Sequence, residues 1–431
     1  MNIKNSIQKR PIILPLVVLI IVILACDSFL PTIFIRNHYI KHINSKCFQY
    51  LILDEGKTTK KGNHISYTAK VIRYFNKTEN KWEKCTGNIK VYVPRFYDSK
   101  TENERFSYGD IIYSCDELSE INNFSEDFNY VRYMKHQRIY HSVFLKNWQK
   151  IDKNKGNPII SLAKKINQKL HQRLYDTHLK KDSKSLAMAM LLGDNKEIEP
   201  NLRQYFNTSG LAHILCFSGL HIGIITLFFS FLLKYLIPST IKGYSTRIYL
   251  SITIVWLLDF IVGLTPSATR VALMFTILSL SKLYMLYYDR INVLLVVVFL
   301  SLIVKPYLLF NISFQLSYSA VLGIFIFVEI WQKYSSEKRS RIRKTPYKLL
   351  YNAGITTSAQ VFTLPIVLYY FKYFPFFFLI SNIIVIPLLQ IILVSILVLM
   401  VFCNVPLLGD CICFVCDLEL QFLIFIAKLF S

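Results

Sequence analysis

Long apolar runs occupy most of the C-terminal half of this chain. From about residue 211 they recur at the length of a membrane-crossing helix, about 20 residues. The predicted spans are 211–236, 248–263, 267–285, 291–305, 312–331, 349–371, 376–402 and 411–429. One more apolar run, Pro11 to Cys26, lies in a predicted N-terminal membrane anchor, residues 1–35. The pattern predicts a polytopic α-helical membrane protein of about nine transmembrane helices.

Residues 40–150 have a different pattern, with short runs of alternating apolar and polar residues separated by turn formers. The strand-like runs are Phe48–Leu53, His64–Phe75, Asn88–Phe96 and Gly109–Cys115. They predict a small all-β domain of the barrel type. From 157 to 192 apolar residues recur at helical spacing, which predicts an amphipathic helix on the membrane surface or against the β domain. We assign residues 157–209 to this helical linker and 210–431 to the membrane domain.

Charge adds an orientation. The chain is 53% hydrophobic and 18% charged, with a net charge of +23, and such an excess attracts polyanions and anionic lipid. A Lys/Asn/Ile-rich composition from an AT-rich genome is the alternative cause. The basic loop 332–348 is expected in the cytoplasm. Alternating crossings then place residues 40–210 outside, and Lys4, Lys9 and Arg10 inside.

Three cysteines fall in the outer polar stretch, Cys47, Cys85 and Cys115. In an oxidising compartment two of them would form a disulfide. The spacing leaves the pairing open. No array of metal ligands and no Walker A pattern occurs, so we expect no metal and no cofactor, and no ATP hydrolysis by this chain.

The segment from Gly210 to Ile225 carries polar groups inside an apolar run. Such groups are costly in hydrocarbon and usually face a bundle interior. Gly219 and Gly223 form a G-x-x-x-G pair that favours close helix packing. Ser218 and His221 share a helix face and are predicted to line a channel, with His221 about 15 Å below the start of the span at Leu211. An interhelical hydrogen bond and an intramembrane Ser218/His221 hydrolase are the alternatives.

Further polar residues complete a predicted path through the bundle. Asp259 and Arg270 flank the turn Gly263–Pro266. They would either pair with each other or snorkel to the interface. The functional alternative is that they line the channel mouth, where the Arg270 guanidinium would bind phosphate. The full set of channel-lining candidates is His213, Ser218, Gly219, His221, Gly223, Asp259, Arg270, Gln315, Gln360 and Asn382.

The β domain has its own candidate site, where cations alternate with aromatic residues. This composition is typical of a single-strand groove, and the alternative is a solvated strand face. The candidates are Lys70, Arg73, Tyr74, Lys77, Trp82 and Lys84.

Several sequence blocks resemble a known family. Gly210–Gly223 resembles the signature of the competence domain of ComEC-type DNA-uptake proteins, and Leu191–Asp194 with Leu202–Ser209 resembles the approach to it. The later blocks, similar to the family's and in its order, are Pro266–Met274, Asn311–Gly323, Ala359–Pro365 and Phe374–Pro387.

The resemblance implies a non-enzymatic channel component for uptake of single-stranded DNA across the inner (cytoplasmic) membrane in natural transformation. It implies an OB-like module in residues 40–150, outside the cytoplasm. The implied partners are single-stranded DNA, a DNA receptor, a cytoplasmic motor or strand-binding protein, the bilayer, and further copies of the chain in a homo-oligomer. A non-transporting scaffold of the uptake machinery is the alternative.

The resemblance also has a departure. Many family members carry a metallo-β-lactamase-like domain, whereas all nine histidines here precede residue 222. We expect either that this member works without that domain or that the chain is a fragment of a longer reading frame.

Overall fold

The computed structural model describes residues 11–29, 37–43, 45, 47–58, 64–76, 79–94, 106–123, 129–286, 289–338, 344–372 and 377–431. The chain divides into two compact units. One comprises Met1–Leu19 and Ala163–Ser431, and the other Ile20–Leu162. Lys4, Lys9, Arg10 and Lys77 lie outside the described residues, as do Arg339, Arg341 and Arg343 of the basic loop.

The chain begins with helix α1 (Ile13–Phe29), and a β-sheet with one short helix follows. The elements of the sheet unit are β1 (Phe48–Ile52), β2 (Lys57–Thr58), β3 (His64–Asn76), β4 (Lys81–Lys84), β5 (Asn88–Pro94), β6 (Ile111–Ser114), β7 (Leu118–Glu120), α2 (Tyr130–His136), β8 (Ile139–Phe144) and β9 (Trp148–Asp152). A strand lies at each of the four runs predicted from alternation.

The strand order is β7-β8-β5-β3-β1-β6-β9, and β2 and β4 also pair with β3. Strand β3 is the longest and lies near the middle, with Tyr67, Ala69 and Val71 buried on one face. Alternation of this kind packs one face into a core and leaves the other to solvent. The predicted β domain is therefore present, while its OB-type closure stays a prediction.

A bulge in β3 changes which side chains share a face. Val71 lies opposite Tyr50 and Arg73 opposite Gln49, so that Ile72 is an extra residue in the ladder. A bulge shifts the alternation of its strand by one residue. Lys70 and Arg73, three positions apart, consequently project from the same outer face.

A disulfide joins Cys47 to Cys115. The two cysteines flank strands β1 and β6, which pair in antiparallel register from Phe48 and Ser114. Cys85 is a buried free thiol in the sheet core. The sequence left three pairings open, and strand register selects this one.

The chain is helical after residue 157, and the helical unit itself begins again at Ala163, within the first of these helices. Its helices are α3 (Pro158–Tyr175), α4 (Lys181–Leu192), α5 (Pro200–Thr208), α6 (Gly219–Leu236), α7 (Ile241–Val262), α8 (Pro266–Leu283), α9 (Arg290–Val304), α10 (Ile312–Lys338), α11 (Lys344–Phe371), α12 (Phe378–Phe402) and α13 (Leu408–Leu429).

Four helices of the described part are long and apolar enough to cross a membrane. They are Gly219–Leu236, Ile241–Val262, Ile312–Lys333 and Phe378–Phe402. Ile13–Ala25 and Arg290–Val304 are apolar but shorter. The chain is thus a helical membrane protein, as predicted. The count of about nine crossings and their orientation stay predictions.

The prediction of one amphipathic helix over 157–192 is wrong. The chain leaves the helix after Tyr175 and starts a new one, α4, at Lys181. Helix α4 is buried along its whole C-terminal half, from Ser185 to Leu192, and it belongs to the core of the helical unit together with residues of α6, α12 and α13. A helix that is buried all round is a core element, so only α3 keeps an amphipathic pattern.

The predicted span 211–236 is also shorter than expected. A 3-10 turn, Ala212–Ile214, comes first, and helix α6 begins at Gly219. Ser218 is its N-cap, a role that serine fills well because its hydroxyl accepts from a free amide of the first turn. The depth of about 15 Å expected for His221 assumed a continuous helix from Leu211, and that assumption is wrong, since His221 lies in the first turn of α6.

Candidate nucleic-acid and channel sites

Ser218 and His221 contact each other as a helix cap. The His221 amide donates to Ser218 Oγ at 3.5 Å, and the Ser218 amide donates to His221 Nδ1 at 3.3 Å. The two bonds form a capping box, in which each side chain satisfies the other's backbone. His221 is fully buried, and its Nε2 has no hydrogen-bond partner. The described contacts thus join each side chain to a backbone amide and not the serine oxygen to the imidazole.

Gly219 lies against helix α8. A Cβ atom at this position would lie 2.7 Å from Val271 Cγ2 and 2.8 Å from Arg270 Nη2. At Gly223 a Cβ would meet nothing within 4 Å. The close approach predicted from the G-x-x-x-G pair therefore occurs at Gly219 and not at Gly223.

Arg270 is buried next to this helix start, with 7% of its surface exposed. Its guanidinium carbon lies 5.6 Å from the centre of the Tyr318 ring, and the Tyr318 hydroxyl lies 3.3 Å from Ser301 Oγ. Arg270 Nε has no hydrogen-bond partner. Helices α6, α8, α9 and α10 therefore contribute to one polar cluster around a buried cation.

Asp259 is the second buried charge of the unit. It is fully buried and forms no ion pair among the described residues, where the groups that stabilise its charge are the Thr269 hydroxyl and the Lys305 ammonium. The ion pair with Arg270 that the sequence suggested is absent between these two described residues. A buried carboxylate without an ion pair is costly, so Asp259 lowers the stability of the fold.

The remaining channel candidates have mostly local contacts. Gln315 donates to the Leu309 carbonyl at 2.8 Å, and Asn382 donates to Phe378 of its own helix at 2.8 Å. Asn382 Oδ1 is nonetheless buried without a partner. Gln360 is half-buried in α11, and His213 is exposed on the 3-10 turn. The structure does not give these four residues a common contact.

In the sheet unit, three predicted cations share the outer face. Lys70, Arg73 and Lys84 are exposed, and Arg73 lies directly opposite Lys84 on the neighbouring strand. Like charges at opposed positions repel each other. This arrangement is unfavourable for the empty protein and favourable for one that holds an anion.

Tyr74 faces the opposite side. It is 5% exposed, stacks on His42 at 4.0 Å, and its hydroxyl donates to Glu83. This hydrogen bond lowers the pKa of Glu83 and raises the pKa of Tyr74 to about 12. The structure therefore places Tyr74 in the core and away from the predicted DNA-binding face.

Next to the cations lies an open groove of about 390 Å³. Its walls include Phe75, Trp82 and Tyr113, with ring centres 5.4 Å apart for Phe75 and Trp82 and 5.7 Å apart for Trp82 and Tyr113. Trp82 was predicted. Phe75 and Tyr113 were missed, because only the bulge and the strand register reveal that they face outwards with Arg73.

No cluster of three or more metal-binding side chains occurs among the described residues. The side chains at the two candidate sites are of other kinds: cations and aromatic rings in the sheet unit, and mainly a cation near the start of α6.

Comparison with known proteins identifies the family. Residues 190–431, more than half of the chain, match the family model described as Competence protein. The chain is 26% identical to ComE operon protein 3 of Bacillus subtilis (strain 168) over 265 residues, 60% of this chain and 31% of that protein. It is 25% identical to an uncharacterized protein of Aquifex aeolicus (strain VF5) over 206 residues, 48% of this chain and 46% of that protein.

The chain thus spans less than half the length of the curated relatives it matches. No solved structure matches it significantly. The family match covers the helical unit from the last residues of α4 onwards, including the capped start of α6 and the buried Arg270 that the sequence blocks pointed to. The chain belongs to the competence protein family.

Proposed function

We propose that this chain is a channel component for uptake of single-stranded DNA across the inner membrane during natural transformation. The observation that carries the proposal is the outer face of the sheet, where Lys70, Arg73 and Lys84 adjoin the Phe75–Trp82–Tyr113 groove. The family match supports the assignment to DNA uptake.

The chemistry of this face suits a single strand. Cations neutralise backbone phosphates, and exposed bases stack on aromatic rings regardless of their identity. Single-stranded DNA offers both groups along its whole length. We therefore expect binding that tolerates any sequence and weakens steeply with salt.

The proposed topology keeps the sheet unit outside the cytoplasm, as an OB-like module within residues 40–150. The Cys47–Cys115 disulfide supports this location, since disulfides persist in oxidising compartments. The basic loop 332–348 and the basic N-terminus would face the cytoplasm. The proposed domain limits are 1–35 for the anchor, 157–209 for the helical linker, and 210–431 for the channel.

Within the helical unit, buried polar groups would form the path of the strand. Transport of this kind needs an external energy source, so a cytoplasmic motor or strand-binding protein and a DNA receptor are the expected partners, and the chain would act without catalysis. The Ser218–His221 contacts are those of a helix cap, so no observation favours a hydrolase. A scaffold role predicts that changes at Arg270 and Asp259 leave uptake intact.

The test is DNA binding by the full chain in dodecyl maltoside, measured by fluorescence anisotropy of an oligothymidylate at several salt concentrations. The double variant Arg73→Gln with Lys84→Gln should lower the slope of log affinity against log salt by about 1.4, or about 0.7 per lost phosphate contact. Arg132→Gln with Lys135→Gln, exposed on α2, removes the same charges elsewhere and should leave the slope unchanged. Equal slopes for both double variants would sink the assignment of this face.

Two neighbouring residues test the aromatic groove. Phe75→Ala should weaken binding about 10-fold or more, because one stacked base contributes about 1–3 kcal/mol. Tyr74→Phe removes a hydroxyl on the inner face and should leave DNA affinity unchanged. In cells, the Phe75→Ala chain should restore less nuclease-resistant labelled DNA to a deletion strain than the Tyr74→Phe chain does.

A further inference from the structure

Beside the start of helix α6 lies a buried positive charge, Arg270 of helix α8, which forms no ion pair among the described residues. Arg270 Nη2 lies 2.8 Å from the position that a Cβ would take at Gly219, the first residue of the helix. Gly219 does not have a positive φ, so its backbone would accept any residue. What requires glycine here is the space that the guanidinium and Val271 occupy.

The guanidinium is not neutralised by the protein. Arg270 is more than nine-tenths buried, its Nε has no hydrogen-bond partner, and it forms no ion pair with any residue that the structure describes. Its one aromatic neighbour, Tyr318, offers a ring face at 5.6 Å from the guanidinium carbon. A ring face attracts a desolvated cation, but this attraction is smaller than the cost of burying an isolated charge.

The helix end adds a second positive feature. Ser218 accepts from the His221 amide, whereas no hydrogen bond is found from the amides of Gly219 and Leu220. Free amides in a first turn, together with the helix dipole, favour an anion at this position. Arg270 Nη2 approaches the same turn from helix α8, so donors from two helices lie close together at this helix end.

We propose that Arg270 and the first turn of α6 form a binding site for one phosphate group, and that the phosphodiesters of the transported strand occupy it in turn. The assignment of the phosphate to transported DNA rests on the proposed function. The phosphate site itself does not. A phosphodiester has two non-bridging oxygens that share one negative charge, and they match a guanidinium that presents its donors in a planar fork. A single fixed site of this kind would hold a strand weakly enough for it to advance.

The experiment measures the thermal unfolding midpoint of the full chain in dodecyl maltoside with inorganic phosphate, against chloride at equal ionic strength. Wild type should unfold at a higher temperature in phosphate. Arg270→Gln should lose this shift, and apparent phosphate affinity should fall about 10-fold or more, because a charge-assisted contact is lost. Arg247→Gln is the matched control. Its Nε is also unpartnered and its guanidinium lies over an aromatic ring, but the residue lies within α7 and not at a helix start.

A second variant decides the outcome if Arg270→Gln fails to fold. Gly219→Ala keeps the charge and adds one methyl group against Nη2, so it should displace the guanidinium and reduce the phosphate shift. Gly223→Ala, where a methyl group meets nothing within 4 Å, should leave the shift as in wild type. An undiminished shift in Gly219→Ala and in any folded Arg270 variant would overturn the site.

Three additions identify the source of the phosphate. An oligothymidylate should give an Arg270-dependent shift, and the same oligomer with an uncharged methylphosphonate backbone should give none. An Arg270-dependent shift with phosphatidylglycerol but not with the oligothymidylate would overturn the DNA assignment and leave a lipid site. Changes on the sheet face, such as Arg73→Gln with Lys84→Gln, should not alter the shift in inorganic phosphate. Failure of this inference and failure of the proposed function are therefore distinguishable.

Discussion

The two units of this protein differ in where their charged groups lie, at the surface in the sheet unit and in the interior in the helical unit. In the sheet unit, Lys70, Arg73 and Lys84 are exposed, and the core beneath them is apolar and aromatic. In the helical unit, Arg270 and Asp259 are buried, and neither forms an ion pair among the described residues. Exposed charges cost the fold little, whereas buried unpaired charges cost several kcal/mol. The sheet unit can therefore present cations to an anion at a small cost in stability, the repulsion between Arg73 and Lys84, whereas the helical unit gives up more stability for its buried polar groups.

The largest expected effect tests whether the sheet unit depends on its covalent bond. The disulfide joins residues 68 positions apart, and in the chain-entropy model a loop of that size contributes about 4 kcal/mol. Cys47→Ser with Cys115→Ser should therefore unfold the sheet at a much lower denaturant concentration. Fluorescence of Trp82 and Trp148 reports on the sheet, in a background with Trp256→Phe and Trp331→Phe.

The control is the helical unit of the same double variant, followed through Trp256 and Trp331 after replacing the sheet tryptophans. Its midpoint should not move. A common shift of both signals would break the comparison, because it would mean that the two units unfold as one.

The second prediction concerns the buried carboxylate of the helical unit. Asp259→Asn removes the charge and keeps the shape, so it should raise the free energy of unfolding by about 1–3 kcal/mol. The same change should reduce DNA uptake if the charge serves transport. Unfolding midpoints in dodecyl maltoside and import of labelled DNA measure the two effects.

Asp289 gives the matched contrast. It caps helix α9, where its Oδ1 accepts from the Ile291 amide at 3.1 Å. Asp289→Ala should lower stability by about 1 kcal/mol, as expected for loss of a helix cap. A loss of stability in Asp259→Asn as large as that in Asp289→Ala would show that Asp259 has stabilising contacts.

The smallest effect is the pH dependence of the stability of the sheet unit. Burial lowers the pKa of His38 and of His141, whose Nδ1 lies 3.0 Å from the Tyr39 hydroxyl. As the pH falls, each of these histidines takes up a proton near its ordinary pKa of 6.5 in the unfolded chain, and only at a lower pH in the folded chain. The sheet should therefore be fully stable above that pH and lose stability as pH falls below it.

Denaturant midpoints of the sheet signal between about pH 7.5 and 5.5 measure this dependence. The double variant His38→Gln with His141→Gln should flatten it. A wild-type sheet that becomes more stable towards low pH would contradict the assignment of these histidines as neutral in the fold.

Local pattern was sufficient for much of the fold. Alternation in residues 64–75 predicts strand β3, and each long apolar run contains a helix, because both periodicities arise from neighbouring residues. The family blocks around Gly210–Gly223 and Pro266–Met274 also lie within single segments. The start of α6 was misplaced because Leu211–Phe217 is as apolar as a helix interior, and only the cap at Ser218 marks the true first turn.

What the sequence determined by itself is therefore the class of each segment, the excess of positive charge and the family. The tertiary structure decided which residues meet. It paired Cys47 with Cys115, turned Tyr74 inwards and Phe75 outwards through the bulge at Ile72, and brought Arg270 to Gly219. The physical reason is that these contacts depend on strand register and helix packing between segments far apart in the chain, where no local periodicity carries the information.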